Sequence, residues 1–383
     1  MKSLDGIRTD VVGSLLRPDA LANARLRHER GEIGEGEFRA VENECVERAI
    51  RLQEQIGLDV VTDGEFRRLN FQDSFGEAVS GYDSGQATLD FYDQRTSGGK
   101  PLQRFDLPLG PERRKATPVV QRQRVVERLR LRRNLVLEEY AYASGVARKP
   151  VKVTLIGPDR ISQRVDLANS AHVYRAIDEF LADVVEVERA MITGLAGAGC
   201  RYVHIDAPGY TAYVDGPSLD AMRARGEDPA ANFKRSLKAD NDLIRGFGAV
   251  TFGIHLCRGN QRSMWHREGA YDAIAEMLFN ELNHDRFLLE YDTPRAGSFE
   301  PLRFVPRGKT VVLGLVSTKV PQLETVDDLK RRIEAAGRYV AVEQLALSPQ
   351  CGFASEFVGN LVSEDDQQRK LELVVETARQ VWG

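Results

Sequence analysis

Short runs of β-branched and apolar residues alternate along this chain with longer stretches whose apolar residues recur at three- and four-residue spacing. The runs are 9–14, 59–65, 151–157, 202–208, 250–257, 286–291, 310–316 and 345–351. Several are nearly continuous in apolar character, as strands covered on both faces are. The helical spacing is clearest over 37–55, 174–196, 271–282, 326–342 and 364–381. Repeated strand–helix alternation predicts an α/β chain closed into a (β/α)8 TIM barrel. A doubly wound open sheet is the alternative. Its nucleotide-binding version is disfavoured, because no run leads into a G-x-G-x-x-G or G-x-x-x-x-G-K turn.

One interval breaks the rhythm. Residues 81–140 separate strands two and three and far exceed an ordinary βα connection. The expected organisation is one barrel domain over 1–383, with 81–140 as an insertion or lid within it. The first part of the insertion is loop- or hairpin-like. The second carries Arg122, Arg124, Arg128, Arg130, Arg132 and Arg133. These arginines read either as a solvated basic face or as a lid that meets an anionic substrate or the partner subunit of a homo-oligomer.

Charged and metal-ligating residues collect at the C-terminal ends of the runs: Asp63, Glu65, His204, Asp206, His255, Cys257, Glu290 and Cys351. That end of a TIM barrel carries the active site. Residues i and i+2 of a strand share a face, so His255 and Cys257 can aim at one point. With Glu290 and Cys351 the donors become one nitrogen, two sulfurs and one oxygen, a set that suits Zn2+. They come from separate strands rather than one tight knuckle, as barrel active sites do. Metal coordination deprotonates a thiol whose ordinary pKa is about 8.5, which supplies a nucleophile at neutral pH. The residues therefore predict a zinc enzyme that acts on a thiol. A non-catalytic zinc-binding barrel is the alternative.

Each residue also has a blander reading. Glu290 can pair with Arg258 or Arg295, and Cys351 can be a small buried residue. Cys45 and Cys200 read as packing residues, and His204 as a satisfied barrel histidine. Glu65 and Asp206 read as acids that contact substrate, suited to an ammonium group, or as partners of Arg67, Arg68 or Arg17.

Composition narrows the field. The chain has 383 residues and a formal net charge of −4, which favours neither nucleic-acid nor membrane binding. No run approaches the roughly 20 apolar residues of a bilayer span. The first residues lack a hydrophobic signal core, so a cytoplasmic location is expected. Four cysteines in this length do not form a disulfide framework.

At this point the residues resemble the cobalamin-independent methionine synthase family, specifically its catalytic barrel. The resemblance is carried by Val12-Gly13-Ser14, by G-L-D-V-V-T-D-G-E ending at Glu65, and by I-D-A-P around Asp206. It extends to His255-x-Cys257, Glu290 and the P-x-C-G around Cys351. It implies zinc at His255, Cys257, Glu290 and Cys351, and homocysteine held by Glu65 and Asp206 with its carboxylate region near Ser14. The implied activity is methyl transfer to homocysteine, in methionine biosynthesis, from methyltetrahydrofolate or another carrier. The chain departs from the family in having one barrel rather than two. It also has Val316 where the family has a histidine at the end of strand seven. Epoxyalkane:coenzyme M transferases are similar single-barrel relatives in which a zinc-bound thiolate opens an epoxide. A sulfonate thiol such as coenzyme M would want arginine, and Arg17, Arg67 and Arg68 are the candidates for binding such an anion.

Overall fold

The computed structural model describes residue 4, residues 6–90 and residues 120–383. Its strands, in chain order, are β1 (Val79–Asp90), β2 (Val120–Leu131), β3 (Lys152–Ile156), β4 (Tyr202–Asp206), β5 (Thr251–Leu256), β6 (Arg286–Glu290), β7 (Thr310–Val316) and β8 (Leu345–Pro349). Strands β3 to β8 form one parallel sheet in sequential order. Every residue of β3, β4, β6 and β8 is buried. That explains the unbroken apolar runs: these strands face the barrel interior on one side and helices on the other.

The two expected strands at 9–14 and 59–65 are reduced to single parallel bridges, Thr9 to Leu347 in β8 and Val61 to Val151 beside β3. The two segments join through side chains. Asp59 accepts the amides of Arg8 at 2.8 Å and Thr9 at 2.9 Å, and its own amide donates to the Thr9 hydroxyl at 2.8 Å. Further up, the Leu15 amide donates to the Gly64 carbonyl at 3.1 Å. These contacts close the ring, and the molecule is a (β/α)8 barrel. The backbone turns out of extended conformation at Gly64 (φ 72°) and Glu65 (φ 56°), which cuts the second segment short.

The expected helices are present with shifted ends: Glu35–Ile56, Ile177–Gly197, Asp272–Glu281, Val326–Ala336 and Glu364–Trp382. The helix expected over 326–342 starts at the Thr325 cap and stops early, at Gly337. The last helix opens with a capping box, Ser363 against Asp366. Among the described residues, no helix is long and apolar enough to cross a membrane.

The arms of the insertion, β1 and β2, pair antiparallel, while residues 91–119 lie outside the described residues. Val125 and Leu129 of β2 are buried, and their amides donate to Ser170 Oγ and Tyr174 Oη at 2.8 Å each. Arginines occupy other positions of the strand. Arg124 pairs with Asp83 and Arg128 with Asp183, at 2.6 Å each, and Arg133 pairs with Glu138. Arg130 and Arg132 are exposed, and the side chain of Arg122 lies outside the described residues.

Low in the barrel interior, Asp10 is ringed by cations and a phenol. Lys152 Nζ lies 2.7 Å from Oδ1, while Tyr202 Oη and Arg286 Nη2 lie 2.6 Å and 3.4 Å from Oδ2. Lys152 and Tyr202 are paired in register across β3 and β4, which puts both side chains in one interior layer.

Candidate metal centre

The strand ends place the chemistry at one mouth of the barrel. Asp206 is the last residue of β4 and Glu290 the last of β6, while Cys257 and Cys351 come just after β5 and β8. The donor atoms of His255, Cys257 and Cys351 all lie within 4.8 Å of one another, and all three residues are buried. His255 Nδ1 lies 3.2 Å from the Leu288 carbonyl, a hydrogen bond that fixes the proton on Nδ1. Its other nitrogen, Nε2, is buried without a hydrogen-bond partner. A buried lone pair beside two thiols is what a soft divalent metal needs, so these residues fit zinc.

The two sulfurs behave as a pair. A hydrogen bond from Cys351 holds the Cys257 thiol well below its usual pKa although burial opposes this, and the same bond pushes Cys351 well above.

Glu290 stands apart from this cluster. Its Oε1 accepts Arg295 Nε and Nη2 at 3.0 and 2.6 Å, and its Oε2 accepts the Arg258 amide at 2.6 Å. Burial works against its charge, yet Arg295, Lys319 and Arg258 outweigh it and hold the pKa at about 2. Of the four donors expected from the sequence, His255, Cys257 and Cys351 lie within 4.8 Å of one another, while the Glu290 carboxylate is held by Arg295 and the Arg258 amide.

Beside the cluster a pocket is lined by Ser14, Glu65, Asp206, His255, Cys257 and Cys351, among others. It unites six residues that sequence reasoning selected. Glu65 Oε1 accepts the Thr154 hydroxyl at 2.6 Å, and Thr154 in turn accepts Arg68 Nη1 at 3.0 Å. Glu65 Oε2 is buried and unpartnered. Burial is the main cause of the raised pKa of both Glu65 and Asp206. Asp206 Oδ1 lies 3.1 Å from His204 Nε2, and burial keeps that imidazole neutral. Two glycines make room for the wall. A Cβ at Gly13 would meet Glu65 Oε1 at 2.4 Å, and one at Gly352 would meet Ser14 Oγ at 2.1 Å.

Arg17, Arg67 and Arg68 do not line this pocket, but Arg68 Nη1 lies 3.8 Å from Glu65 Oε1, the pairing expected as the blander reading. Arg17 Nη2 donates to the carbonyls of Glu65 at 2.9 Å and Arg68 at 3.1 Å, bracing the turn that carries Glu65. Arg67 pairs with Glu42 at 3.1 Å, and Arg68 grips Glu139 at 2.6 Å. Val316 is a buried residue of β7 with no proton to give. No described residue of β1 or β2 lines the pocket.

Sequence reasoning missed Arg160, His266 and Arg267, which line the same pocket. They follow β3 and β5 on the catalytic side, so the strand-end rule that selected the acids would have found Arg160.

Residues 7–97 and 113–379 match the family model described as the cobalamin-independent synthase catalytic domain. The chain is 36% identical over 382 residues to the uncharacterized protein YxjG of Bacillus subtilis, covering 98% of this chain and 94% of that one. It is 25% identical over 347 residues to a methionine synthase of Pyrococcus abyssi, covering 90% and 85%. A B12-independent methionine synthase from Shewanella, solved with selenomethionine, shares the fold at TM-score 0.71 and 17% identity, covering 98% of this chain and 97% of that one. The chain therefore belongs to the family of the cobalamin-independent synthase catalytic domain.

Proposed function

We propose that this protein transfers a methyl group to the thiol of homocysteine, giving methionine, with zinc held by His255, Cys257 and Cys351. The observation that carries this reading is one pocket with a thiol–imidazole cluster on one wall and two buried acids on another. Bound zinc would hold the substrate sulfur as a thiolate at neutral pH. Three protein donors are the usual count for a catalytic rather than a structural zinc site.

The chain's own residues do the positioning. Glu65 Oε2 is a buried acceptor without a donor, and the α-ammonium of an amino acid supplies one. Asp206 adds the second negative charge. Ser14 Oγ faces the same pocket and takes the carboxylate end. His204, held neutral, orients Asp206. The buried acid pair, Glu65 and Asp206, favours an amino-acid thiol with its ammonium group over a sulfonate such as coenzyme M.

The methyl donor is methyltetrahydrofolate or another small carrier. The test is turnover of the zinc-loaded protein with homocysteine and with coenzyme M, followed by methionine or methyl-coenzyme M formation. Methionine alone is expected. Equal alkylation of both thiols would remove the role given to Glu65 and Asp206.

A further inference from the structure

We propose that Asn260 and Asn360 are positioning residues for the sulfur pair: with Thr318 and Gln350 they close a hydrogen-bonded ring around Cys351 that sets its distance from Cys257 for metal uptake. This rests on the functional reading above, in which those two thiols hold zinc.

The strand order leaves the thiols without a common ladder. Cys257 follows β5 and Cys351 follows β8, while β6 and β7 lie between them in the sheet. Two zinc–sulfur bonds of about 2.3 Å allow the sulfurs little latitude in their separation. Contacts beyond the sheet must therefore fix it. Cys257 is tied to its own neighbours. Its carbonyl accepts the Thr211 hydroxyl at 2.7 Å, and the following amide, of Arg258, donates to Glu290 Oε2 at 2.6 Å. The tie across to Cys351 is made by side-chain amides.

Asn260, in the loop after Cys257, donates from Nδ2 to the Gly352 carbonyl at 2.7 Å, just past Cys351. Its Oδ1 accepts Asn360 Nδ2 at 2.9 Å, and the same Nδ2 donates to the Thr318 carbonyl at 2.9 Å. The Thr318 hydroxyl donates to Gln350 Oε1 at 2.7 Å, and Gln350 directly precedes Cys351. The ring thus returns to the strand end from which it started, with Cys351 between its two attachments. Each of these side chains is buried. A displaced amide here would leave buried donors and acceptors unpaired, which is costly.

The backbone gives Asn360 a second task. Arg262 and Ser263 take positive φ, 49° and 64°, which residues with a side chain rarely adopt. Such a turn persists only where its surroundings over-determine it. The Ser263 amide donates to Asn360 Oδ1 at 3.0 Å, and the Leu361 amide donates to Ser263 Oγ at 2.9 Å. One side chain therefore holds the turn of the β5 loop and joins that loop to those after β7 and β8.

The test is zinc affinity by chelator competition, with the absorption spectrum of the cobalt-substituted protein as a second readout. Asn260→Ala, Asn360→Ala and Thr318→Val are compared with the wild type. Each is expected to weaken zinc binding about 10- to 100-fold, the range for groups behind a metal ligand, and to alter the sulfur-to-cobalt bands. Thr318→Val removes one hydroxyl of the ring at constant shape, so it decides the matter if an asparagine variant fails to fold. Asn134→Ala is the control. That half-buried amide accepts the Leu137 amide and donates to the Met191 carbonyl, at 3.1 Å each, and its loss should lower the unfolding temperature without moving either metal readout. Wild-type zinc affinity and cobalt bands in the folded ring variants, or equal weakening by Asn134→Ala, would overturn the ring's role and leave the metal reading standing. A wild type that takes up neither metal would remove the metal reading, and the ring's role with it.

Discussion

Two buried polar clusters sit in this barrel, one low in its interior and one at its mouth, and they are finished to different degrees. In the lower cluster both Asp10 oxygens are partnered, by Lys152, Tyr202 and Arg286. In the upper one Glu65 Oε2, His255 Nε2 and Lys319 Nζ are buried without partners. A satisfied network secures a fold; an unsatisfied one loses stability unless a ligand completes it. The difference supports the proposal that the mouth is the binding region and the interior its support.

The largest expected effect lies in the lower cluster. Lys152→Met leaves Asp10 Oδ1 without its cation, with Tyr202 and Arg286 on Oδ2 alone, and is expected to cost about 3–5 kcal/mol in urea unfolding. If the clusters have separate tasks, the folded fraction should still bind zinc stoichiometrically. Cys257→Ser and Cys351→Ser do the reverse. Each is expected to weaken zinc binding by more than about 100-fold, beyond the effect of changing a group behind a ligand, with methyl transfer lost in parallel. A Cys351→Ser protein that retained stoichiometric zinc would show that the cluster is not the metal site.

Glu65→Gln is milder. It removes a charge-assisted hydrogen bond of about 1.5–3 kcal/mol, so the homocysteine KM should rise about 10- to 100-fold while zinc content stays constant. pH sharpens the same point. The pKa of Glu65 is raised in the folded protein above the ordinary carboxylate value of 4.5, chiefly by burial. Its protonated form therefore favours folding, and this contribution fades as pH rises from 4.5 through the raised value. An ammonium ligand needs the charged form. Homocysteine protection against unfolding should thus weaken on acidification at a pH above the ordinary carboxylate range, and Glu65→Gln should flatten that dependence. The smallest effect belongs to the insertion. Arg124→Ala and Arg128→Ala remove exposed pairs, and steady-state kinetics should change by less than about twofold. A larger loss would bring the hairpin into the site.

Much of this site was legible because strand geometry is periodic. His255 and Cys257 had to share a face, and the barrel rule put Asp206, Glu65 and Cys351 at the same end. The state of Glu290 was not legible. Its partner Arg295 is only five residues away, and sequence offers no means to weigh a local ion pair against a distant cluster. The second strand was read too long because apolar runs do not reveal where Gly64 and Glu65 turn to positive φ. Asn260 and Asn360 come from loops without periodic spacing, and only the folded chain joins them beside Cys351.

The most direct measurement is zinc K-edge absorption on the metal-loaded protein, with homocysteine and with coenzyme M added separately. Two sulfurs and one imidazole in the first shell, with a third sulfur joining on homocysteine alone, is the predicted result. A shell that homocysteine leaves unchanged would contradict the account.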